Sequence, residues 1–436
     1  MAQTQRRYYY ILSHGGGQGS DTQSPPSSAG RKRIRKRPKT REPGLRIYDG
    51  SLDMVFFSVV IVLLVYGIIM MFSASYIAGL SSSSHDGYMY VRTQGVAAVA
   101  GVVMMIFISF FDYHILMNSK IVLFGFLGGL ALLTFTSFFG DEVAGARRWL
   151  TVGGTPEGGG LSIQPSELMK PILIVMLAYL VSKSQSRSLG KRDLWRYGII
   201  FAAVCGNMVL QRHMSGLMLM AGIGFMVLLI GDVPLKDIIK LGIALVAVGT
   251  AVAVLATALG FINLSYVLDR FSGMSSADSG EITDENWQTA QSLIAIGSGG
   301  WFGLGFGESK QKYLWLPESQ NDFIISVIVE ELGYLGGLVV IVLFGLLIYR
   351  GFYIARKAPD KFGTLIVAGI TFQIGVQALL NIGVACNAFP NTGISLPFFS
   401  SGGTALLIQL AEMGVILGVS RQCEICLLYT SPSPRD

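Results

Sequence analysis

Long apolar runs, separated by short polar segments, dominate the sequence. A helix needs about 20 residues to cross the hydrocarbon core of a bilayer, and ten runs approach this length. They lie near residues 54–77, 94–111, 120–139, 166–182, 197–211, 214–231, 237–263, 323–349, 362–386 and 402–420. The pattern predicts an all-α polytopic membrane protein with about ten transmembrane helices and a large loop between helices 7 and 8.

The composition agrees with a membrane protein. Of the 436 residues, 51% are hydrophobic and 14% are charged, and the mean hydropathy is +0.55. Soluble domains carry roughly 25% charged residues. An ordinary soluble protein is therefore excluded.

Both termini differ from the apolar region between them. Residues 1–50 combine a Gly/Ser/Pro-rich stretch with the basic segment RKRIRKRPKTR, and we expect them to form a disordered tail. Residues 422–436 end in CLLYTSPSPRD. This stretch resembles translated adapter sequence, so we interpret the segment as non-native. The transmembrane domain is expected over residues 51–421.

The distribution of Lys and Arg predicts the orientation. These residues prefer cytoplasmic loops, so the basic segment before the first run places the N-terminus in the cytoplasm. Ten alternating crossings put the loops after the fourth and eighth runs on the same side, and both loops are basic. This topological role accounts for the basic residues, and nucleic-acid binding is not expected.

Three long loops then share the outer face: residues 140–165, 264–322 and 387–401. The second is far longer than a usual connection, and its aromatic and glycine-rich sequence is not typical of disorder. We expect a structured loop that partly enters the membrane, with glycines permitting tight turns.

Carboxylates occur along the stretch LPESQNDFIISVIVEELG, residues 316–333. Asp322 precedes the eighth run, where the helix N-terminus alone would favour a carboxylate. Glu330 and Glu331 lie roughly 12 Å deeper along a helix. Ionisable residues at such depth face a cavity, a partner charge or a polar pathway. A polar network is therefore expected inside the bundle.

Charged residues also begin the neighbouring runs. Arg148 and Trp149 are adjacent, a pair that suits an interfacial anchor. Glu167 and Lys170 share a helix face, so Glu167 is open to an internal ion pair or a substrate contact. Lys170 lies inside the apolar edge and needs an anion, for which Asp322, Glu167 and a ligand phosphate are the candidates.

Five sequence blocks resemble the SEDS family of FtsW, RodA and SpoVE. They are GARRW, QPSELMK, QSLIAIGSGG, LPESQNDF followed by VEELG, and LPFFSSGG. The resemblance covers residues from about 50 to 421. It implies a ten-helix glycosyltransferase that polymerises lipid II, a disaccharide-peptide on undecaprenyl pyrophosphate, at the outer face of the bacterial cytoplasmic membrane.

The resemblance also implies partners. They are a class B penicillin-binding transpeptidase and other divisome proteins, with membrane lipids around the bundle. The long basic tail favours the division branch, and hence the septum, over the elongation branch, while the sporulation branch stays open.

Roles for individual residues follow from the resemblance. Asp322 is expected to be the general base for an acceptor hydroxyl, and Arg148 and Lys170 to stabilise the leaving pyrophosphate. The other implied substrate contacts are Trp149, Gln164, Ser166, Glu167, Glu318 and Ser400. Glu330 and Glu331 are expected to support the site from beneath. A divalent cation, Mg²⁺ or Mn²⁺, is compatible with the pyrophosphate, although no ligand cluster indicates one.

The sequence departs from the family at Asn321, where Thr is common, and at Ser401, where Tyr is common. Both changes keep a polar group. Two other functions also stay open. A lipid II flippase or transporter would show discontinuous helices near the midplane, and a noncatalytic scaffold for the transpeptidase would tolerate loss of Asp322.

Overall fold

The computed structural model describes residues 51–82, 85–143, 146–152, 161–184, 191–211, 213–258, 286–391 and 393–423. The predicted disordered tail lies outside these residues, as do nearly all of the predicted non-native segment and most of the first half of the long loop. Those expectations stay predictions.

Helices form the membrane part of the described chain. They are α1 (Met54–Ser81), α2 (Met89–Ser109), α3 (Ser119–Phe139), α4 (Pro165–Lys183), α5 (Lys191–Leu210), α6 (Met214–Ile230), α7 (Leu235–Ala258), α8 (Trp287–Gly299), α9 (Ile324–Lys357), α10 (Lys361–Ala385) and α11 (Gly403–Ser420), with a short 3₁₀-helix at Tyr113–Met117. Each of the ten predicted spans overlaps one of these helices, and α8 is an addition within the long loop.

Seven helices in the described part of the chain are long and apolar enough to cross a membrane: α1 to α4 and α9 to α11. Two shorter apolar helices, Leu194–Leu210 and Met214–Ile230, belong to α5 and α6. The prediction of an all-α polytopic membrane protein is confirmed.

Local chemistry sets several helix starts. Asp53, Asn118 and Asp360 cap α1, α3 and α10, and each side chain accepts a hydrogen bond from a backbone N–H of the first turn. Such caps satisfy N–H groups that a helix leaves without a partner. α4 begins with Pro165, a residue already constrained to helical φ and without an N–H to satisfy.

The centre of the bundle is α10. Within its apolar window, 67% of the residues are buried, compared with 28% in α2 and in α3. It packs against α4, α6, α8, α9 and α11. Polar side chains on α10 are therefore enclosed by protein.

A small antiparallel sheet follows α3, within the predicted loop 140–165. Its strands are β1 (Asp141–Val143), β2 (Ala146–Val152) and β3 (Leu161–Ile163), in the order β1-β2-β3. The apolar pattern did not predict this sheet, because β1 and β3, with three residues each, are too short to show a period of two. The hydroxyl of Thr404 in α11 donates to the Ser162 carbonyl at 2.9 Å, which fastens β3 to the bundle.

The second half of the long loop runs alongside α9. That helix is interrupted at Gly333, where φ is 72° and ψ is −175°. The backbone N–H groups of Leu304 and Gly305 donate to the carbonyls of Glu330 and Glu331 at 2.9 and 3.0 Å, next to the interruption. A Cβ at Gly333 would lie 2.3 Å from a backbone oxygen of the loop, so only glycine fits there.

The loop therefore reaches a point nine residues into α9, about 13 Å along the helix. α8 packs against the same helix, and the loop leaves Trp301 and Phe302 70% and 82% exposed beside the interruption. The loop thus contacts the first part of a helix that is long enough to cross a membrane. That the loop enters the membrane stays a prediction.

Candidate active site at the start of α9

Asp322 lies two residues before α9, on a turn that α10 holds in place. Asn381 Nδ2 donates to the backbone carbonyl of Asp322 at 2.7 Å and to that of Ile394 at 2.7 Å. The N-cap of α9 is Phe323, not Asp322. The carboxylate thus precedes the cap position by one residue.

Gly393 brings Asp322 and Arg148 together. Its φ is +67°, and a Cβ at this position would lie 3.3 Å from Asp322 Oδ2 and 3.9 Å from Arg148 Nη1. The sum of these distances, about 7 Å, is the upper limit on the separation of the carboxylate oxygen and the guanidinium nitrogen. The predicted base and one predicted cation therefore both lie within 4 Å of the Cβ position of a single glycine.

Two loops with predicted substrate contacts are fastened to each other. The buried hydroxyl of Ser400 donates to the Asn321 carbonyl at 2.6 Å and accepts from Leu396 N–H at 2.7 Å. The Ser401 hydroxyl donates to the Asn321 side chain, whose amide donates to the exposed Glu318. The two departures from the family pattern, Asn321 and Ser401, are thus in direct contact.

Lys170 forms an internal ion pair. Its amine donates to Glu167 Oε1 at 2.6 Å and to Gln377 Oε1 at 3.0 Å. The side chains of Lys170 and Glu167 are only 4% and 9% exposed. Of the three anions considered for Lys170, Glu167 is its partner in this structure. A phosphate would reach the amine only by displacing an enclosed contact.

Other predicted contacts lie on elements around this end. Trp149 is half-buried on β2, opposite Asp141 of β1. Gln164 is the N-cap residue of α4. Ser166, two residues later, is buried with no hydrogen-bond partner for its hydroxyl among the described residues.

Glu330 and Glu331 hold a buried polar network. Glu331 Oε1 accepts from Lys312 Nζ at 2.9 Å and from the Ser73 hydroxyl of α1 at 2.7 Å. Glu330 accepts from the Ser309 hydroxyl. Both glutamates are at most 1% exposed. The network expected from their depth is present, and it joins the loop, α1 and α9.

Sequence analysis missed several polar partners in the bundle. Lys312 gave no signal, because its ion pair exists only once the loop folds back onto α9. Gln377 and Asn381 interrupt the apolar run of α10 at a spacing of four residues, a signal that was available. Gln373 lies one turn earlier, and its amide donates to both carboxylate oxygens of the buried Glu412 at 2.9 and 3.0 Å.

The described residues include no group of three or more His, Cys, Asp or Glu side chains that could hold a metal ion. A divalent cation at the predicted site would therefore depend mainly on oxygens of a bound pyrophosphate, as Mg²⁺ often does.

These features were compared with known proteins. The profile of the FtsW/RodA/SpoVE family, described as cell cycle protein, matches residues 53–425. The chain belongs to this family. The match covers all but the first two residues of the predicted transmembrane domain, including the segments that carry Arg148, Lys170, Asp322 and Ser400.

Curated relatives agree with this assignment. The chain is 33% identical over 370 residues to the probable peptidoglycan glycosyltransferase FtsW of Geobacter sp. (strain M18), with 84% of this chain and 96% of the relative covered. It is also 33% identical to two Bacillus subtilis proteins: the probable peptidoglycan glycosyltransferase FtsW, with 86% and 91% covered, and stage V sporulation protein E, with 85% and 97% covered.

Solved structures share the fold. A chain from a study described as structural coordination of polymerization and crosslinking by a peptidoglycan synthase complex has a TM-score of 0.65 at 23% identity, with 85% of this chain and 98% of that chain covered. The rod shape determining protein RodA of Thermus thermophilus has a TM-score of 0.60 at 24% identity, with 86% and 98% covered.

Proposed function

We propose that this FtsW/RodA/SpoVE family member is a peptidoglycan glycosyltransferase that polymerises lipid II, with Asp322 as general base. The observation that carries the proposal is the placement of the Asp322 carboxylate and the Arg148 guanidinium around Gly393. A base and a cation within about 7 Å of each other suit a reaction that removes a proton at one atom and releases an anion at another. The names of the curated relatives support the same activity.

The reaction assigns each charge a task. Asp322 accepts the proton of the 4-hydroxyl of the acceptor sugar as that oxygen bonds to the anomeric carbon of the donor sugar. The bond from the anomeric carbon to the pyrophosphate breaks, and undecaprenyl pyrophosphate leaves with the electron pair. Arg148 stabilises the charge that develops on this leaving group, because a guanidinium can offer two N–H groups to phosphate oxygens.

Lys170 supplies further positive charge from beneath, and its buried pair with Glu167 holds it in position. The surrounding contacts proposed for substrate are Trp149, Gln164, Ser166, Glu167, Glu318 and Ser400. Ser400 acts through the loops it joins, since both of its hydrogen bonds are internal. Glu330 and Glu331 support the turn that carries Asp322 through the loop and α1.

Location and partners follow from this activity. We place the Asp322 end of the bundle at the outer face of the bacterial cytoplasmic membrane and the N-terminus in the cytoplasm, because the basic loops lie at the other end. The proposed partner is a class B penicillin-binding transpeptidase, which would crosslink the strands at the division septum. The likeness to a chain from a peptidoglycan synthase complex supports this pairing.

The decisive experiment is a reconstitution in liposomes with labelled lipid II. The purified chain is combined with its class B transpeptidase, and penicillin blocks crosslinking so that only glycan polymer is measured. Polymer that requires the chain supports the proposal. Lipid II that stays monomeric throughout would contradict it.

Translocation is the second candidate function, because α9 is discontinuous at Gly333 and the loop packs against it there. Broken helices near the midplane are a feature of transporters. The same liposomes distinguish the two functions if the label is accessible to a membrane-impermeant quencher. Transfer of lipid II between leaflets without polymer would favour the flippase.

A further inference from the structure

Two buried amides on α10 connect the proposed catalytic groups. Gln377 and Asn381 are four residues apart, so they lie on one helix face with about 6 Å of rise between them. Each is 1% exposed. A buried amide in an apolar, membrane-crossing helix is unfavourable unless its polar atoms form hydrogen bonds.

Asn381 joins the two turns that flank the site. Its Nδ2 donates one hydrogen bond to the carbonyl of Asp322 and the other to the carbonyl of Ile394, both at 2.7 Å. Ile394 directly follows Gly393, whose Cβ position lies 3.3 Å from the Asp322 carboxylate. One amide nitrogen therefore fixes the backbone of the base relative to the backbone of the glycine beside it.

Gln377 repeats this arrangement one turn deeper. Its Oε1 accepts from Lys170 Nζ at 3.0 Å, and its Nε2 donates to the Ser395 carbonyl at 3.1 Å. The consecutive carbonyls of Ile394 and Ser395 are thus held by consecutive turns of α10. The same rigid helix positions the cation below and the base above.

We propose that Gln377 and Asn381 are positioning residues for glycosyl transfer, which set the spacing and depth of Asp322 relative to Lys170. This inference rests on the proposed function. Neither residue touches the substrate in this scheme, and both act through backbone groups or through Lys170. Because misplacing a reacting group by about 1 Å can cost on the order of 100-fold in rate, loss of the Asn381 bridge reduces turnover more than substrate binding.

The test is Asn381→Leu, which keeps a branched side chain of similar size and removes both donors. The matched control is Gln211→Leu. Gln211 is also 1% exposed and donates to a backbone carbonyl, that of Leu133, at 2.9 Å. It contacts α3, not the loops of the site. Both variants lose a buried amide, but only Asn381→Leu loses the bridge to Asp322.

Lipid II polymerisation with the transpeptidase partner is measured for each variant, with activity normalised to folded protein. The expected result for Asn381→Leu is a fall in kcat of about 30-fold with KM changed less than about 3-fold. Gln211→Leu keeps the kcat of the native chain.

An equal kcat for Asn381→Leu and the native chain would overturn the inference, as would equal losses of kcat in Asn381→Leu and Gln211→Leu. Asp322→Asn separates this failure from failure of the proposed function. If Asp322→Asn polymerises lipid II normally, the base assignment is wrong. If it is inactive while Asn381→Leu is normal, only the positioning role is lost. Should Asn381→Leu fail to fold, Gln377→Leu tests the same face of α10, with the same kcat loss expected.

Discussion

The two ends of the helix bundle use their charged residues differently. At the end where α1 begins, Asp53 caps α1 and pairs with Arg350 at 3.0 Å, and His114 bridges Asp112 and Asp360. At the other end, Asn381, Gln377 and Ser400 hold loop backbones, and Asp322 and Arg148 both lie within 4 Å of the Cβ position of Gly393. At the first end, charged residues cap helices and form ion pairs. At the second end, buried polar residues position the loops of the candidate active site.

The comparison teaches where to look for function in a membrane bundle. Helix capping and ion pairing account for the charged residues at helix ends. Caps and ion pairs do not account for charges whose backbone is held by buried amides of another helix, so the position of such charges indicates a function.

Arg148→Met tests the chemical end most severely. Loss of one charge-stabilising donor typically costs about 10²- to 10³-fold in kcat, and we expect this loss in lipid II polymerisation. The control is Arg147→Met. Arg147 directly precedes Arg148 on β2 and carries the same charge, but it is exposed, whereas Arg148 is half-buried. Similar losses in both variants would mean that general surface charge, not the position of Arg148, matters.

Lys312→Met tests the network beneath the site. It leaves the Glu331 carboxylate buried without its cation, and breaking such a pair costs about 3–5 kcal/mol. The free energy of unfolding in detergent should fall by this amount, and Lys312→Met combined with Glu331→Gln should recover part of it. Lys240→Met is the exposed counterpart, since Lys240 pairs with Asp237 at 3.3 Å with 67% of its side chain exposed. Its removal should cost less than about 1 kcal/mol, and a cost as large as that of Lys312→Met would refute the distinction.

Gly393→Ala tests the space between the charges. A methyl group would meet Asp322 Oδ2 at 3.3 Å, so we expect kcat to fall by about 10-fold through displacement of the base. Gly307→Ala is the matched control, because its φ is +85° and no atom lies within 4 Å of its Cβ position. It carries similar backbone strain without the clash. Equal kcat losses in the two variants would assign the effect to strain alone.

His114 tests the opposite end by its pH dependence. The hydrogen bond with Asp360 raises the pKa of His114, and further help comes from Asp112 against the effect of burial. Protonated His114 therefore stabilises the fold fully below about pH 6.5, its unfolded pKa, and this contribution is lost as pH rises through the higher folded pKa. As the pH rises across that interval, the free energy of unfolding of the native protein should fall relative to that of His114→Gln. Parallel stability curves for the two proteins would contradict this.

Asp360 makes the free energy of unfolding depend on pH in the opposite direction, at acidic pH. Although burial raises its pKa, the His114 hydrogen bond and the Gly363 N–H lower it overall. Its stabilising effect is thus present above its unfolded pKa of about 3.9 and is lost as pH falls through the lower folded pKa. The rate of lipid II polymerisation should not follow the pH dependence of stability that comes from His114 or from Asp360, because this pair lies at the other end of the bundle from Asp322.

The sequence predicted the helices well because long apolar runs leave the backbone little alternative in a bilayer. It did not predict the break at Gly333, which is one glycine among 54. The need for glycine there arises only when the loop carbonyl of Trp301 approaches. Local pattern cannot report such a contact.

The candidate site was predicted in part. Asp322 and Arg148 were expected near each other, and they share Gly393. The buried pairing of Lys170 with Glu167 was one of the alternatives that the three-residue spacing left open. The roles of Gln377 and Asn381 were missed, because the hydrogen-bond partner of an amide in an apolar run cannot be identified until the loop packed against it is known.

The role of Asp322 as proton acceptor in glycosyl transfer is tested most simply by polymerisation of labelled lipid II. The native chain and Asp322→Asn are each purified with the transpeptidase partner and matched for folding and partner binding. If Asp322 is the general base, the native complex forms glycan strands and the variant forms them at a rate at least about 100-fold lower. Strands formed by Asp322→Asn at the native rate would contradict it.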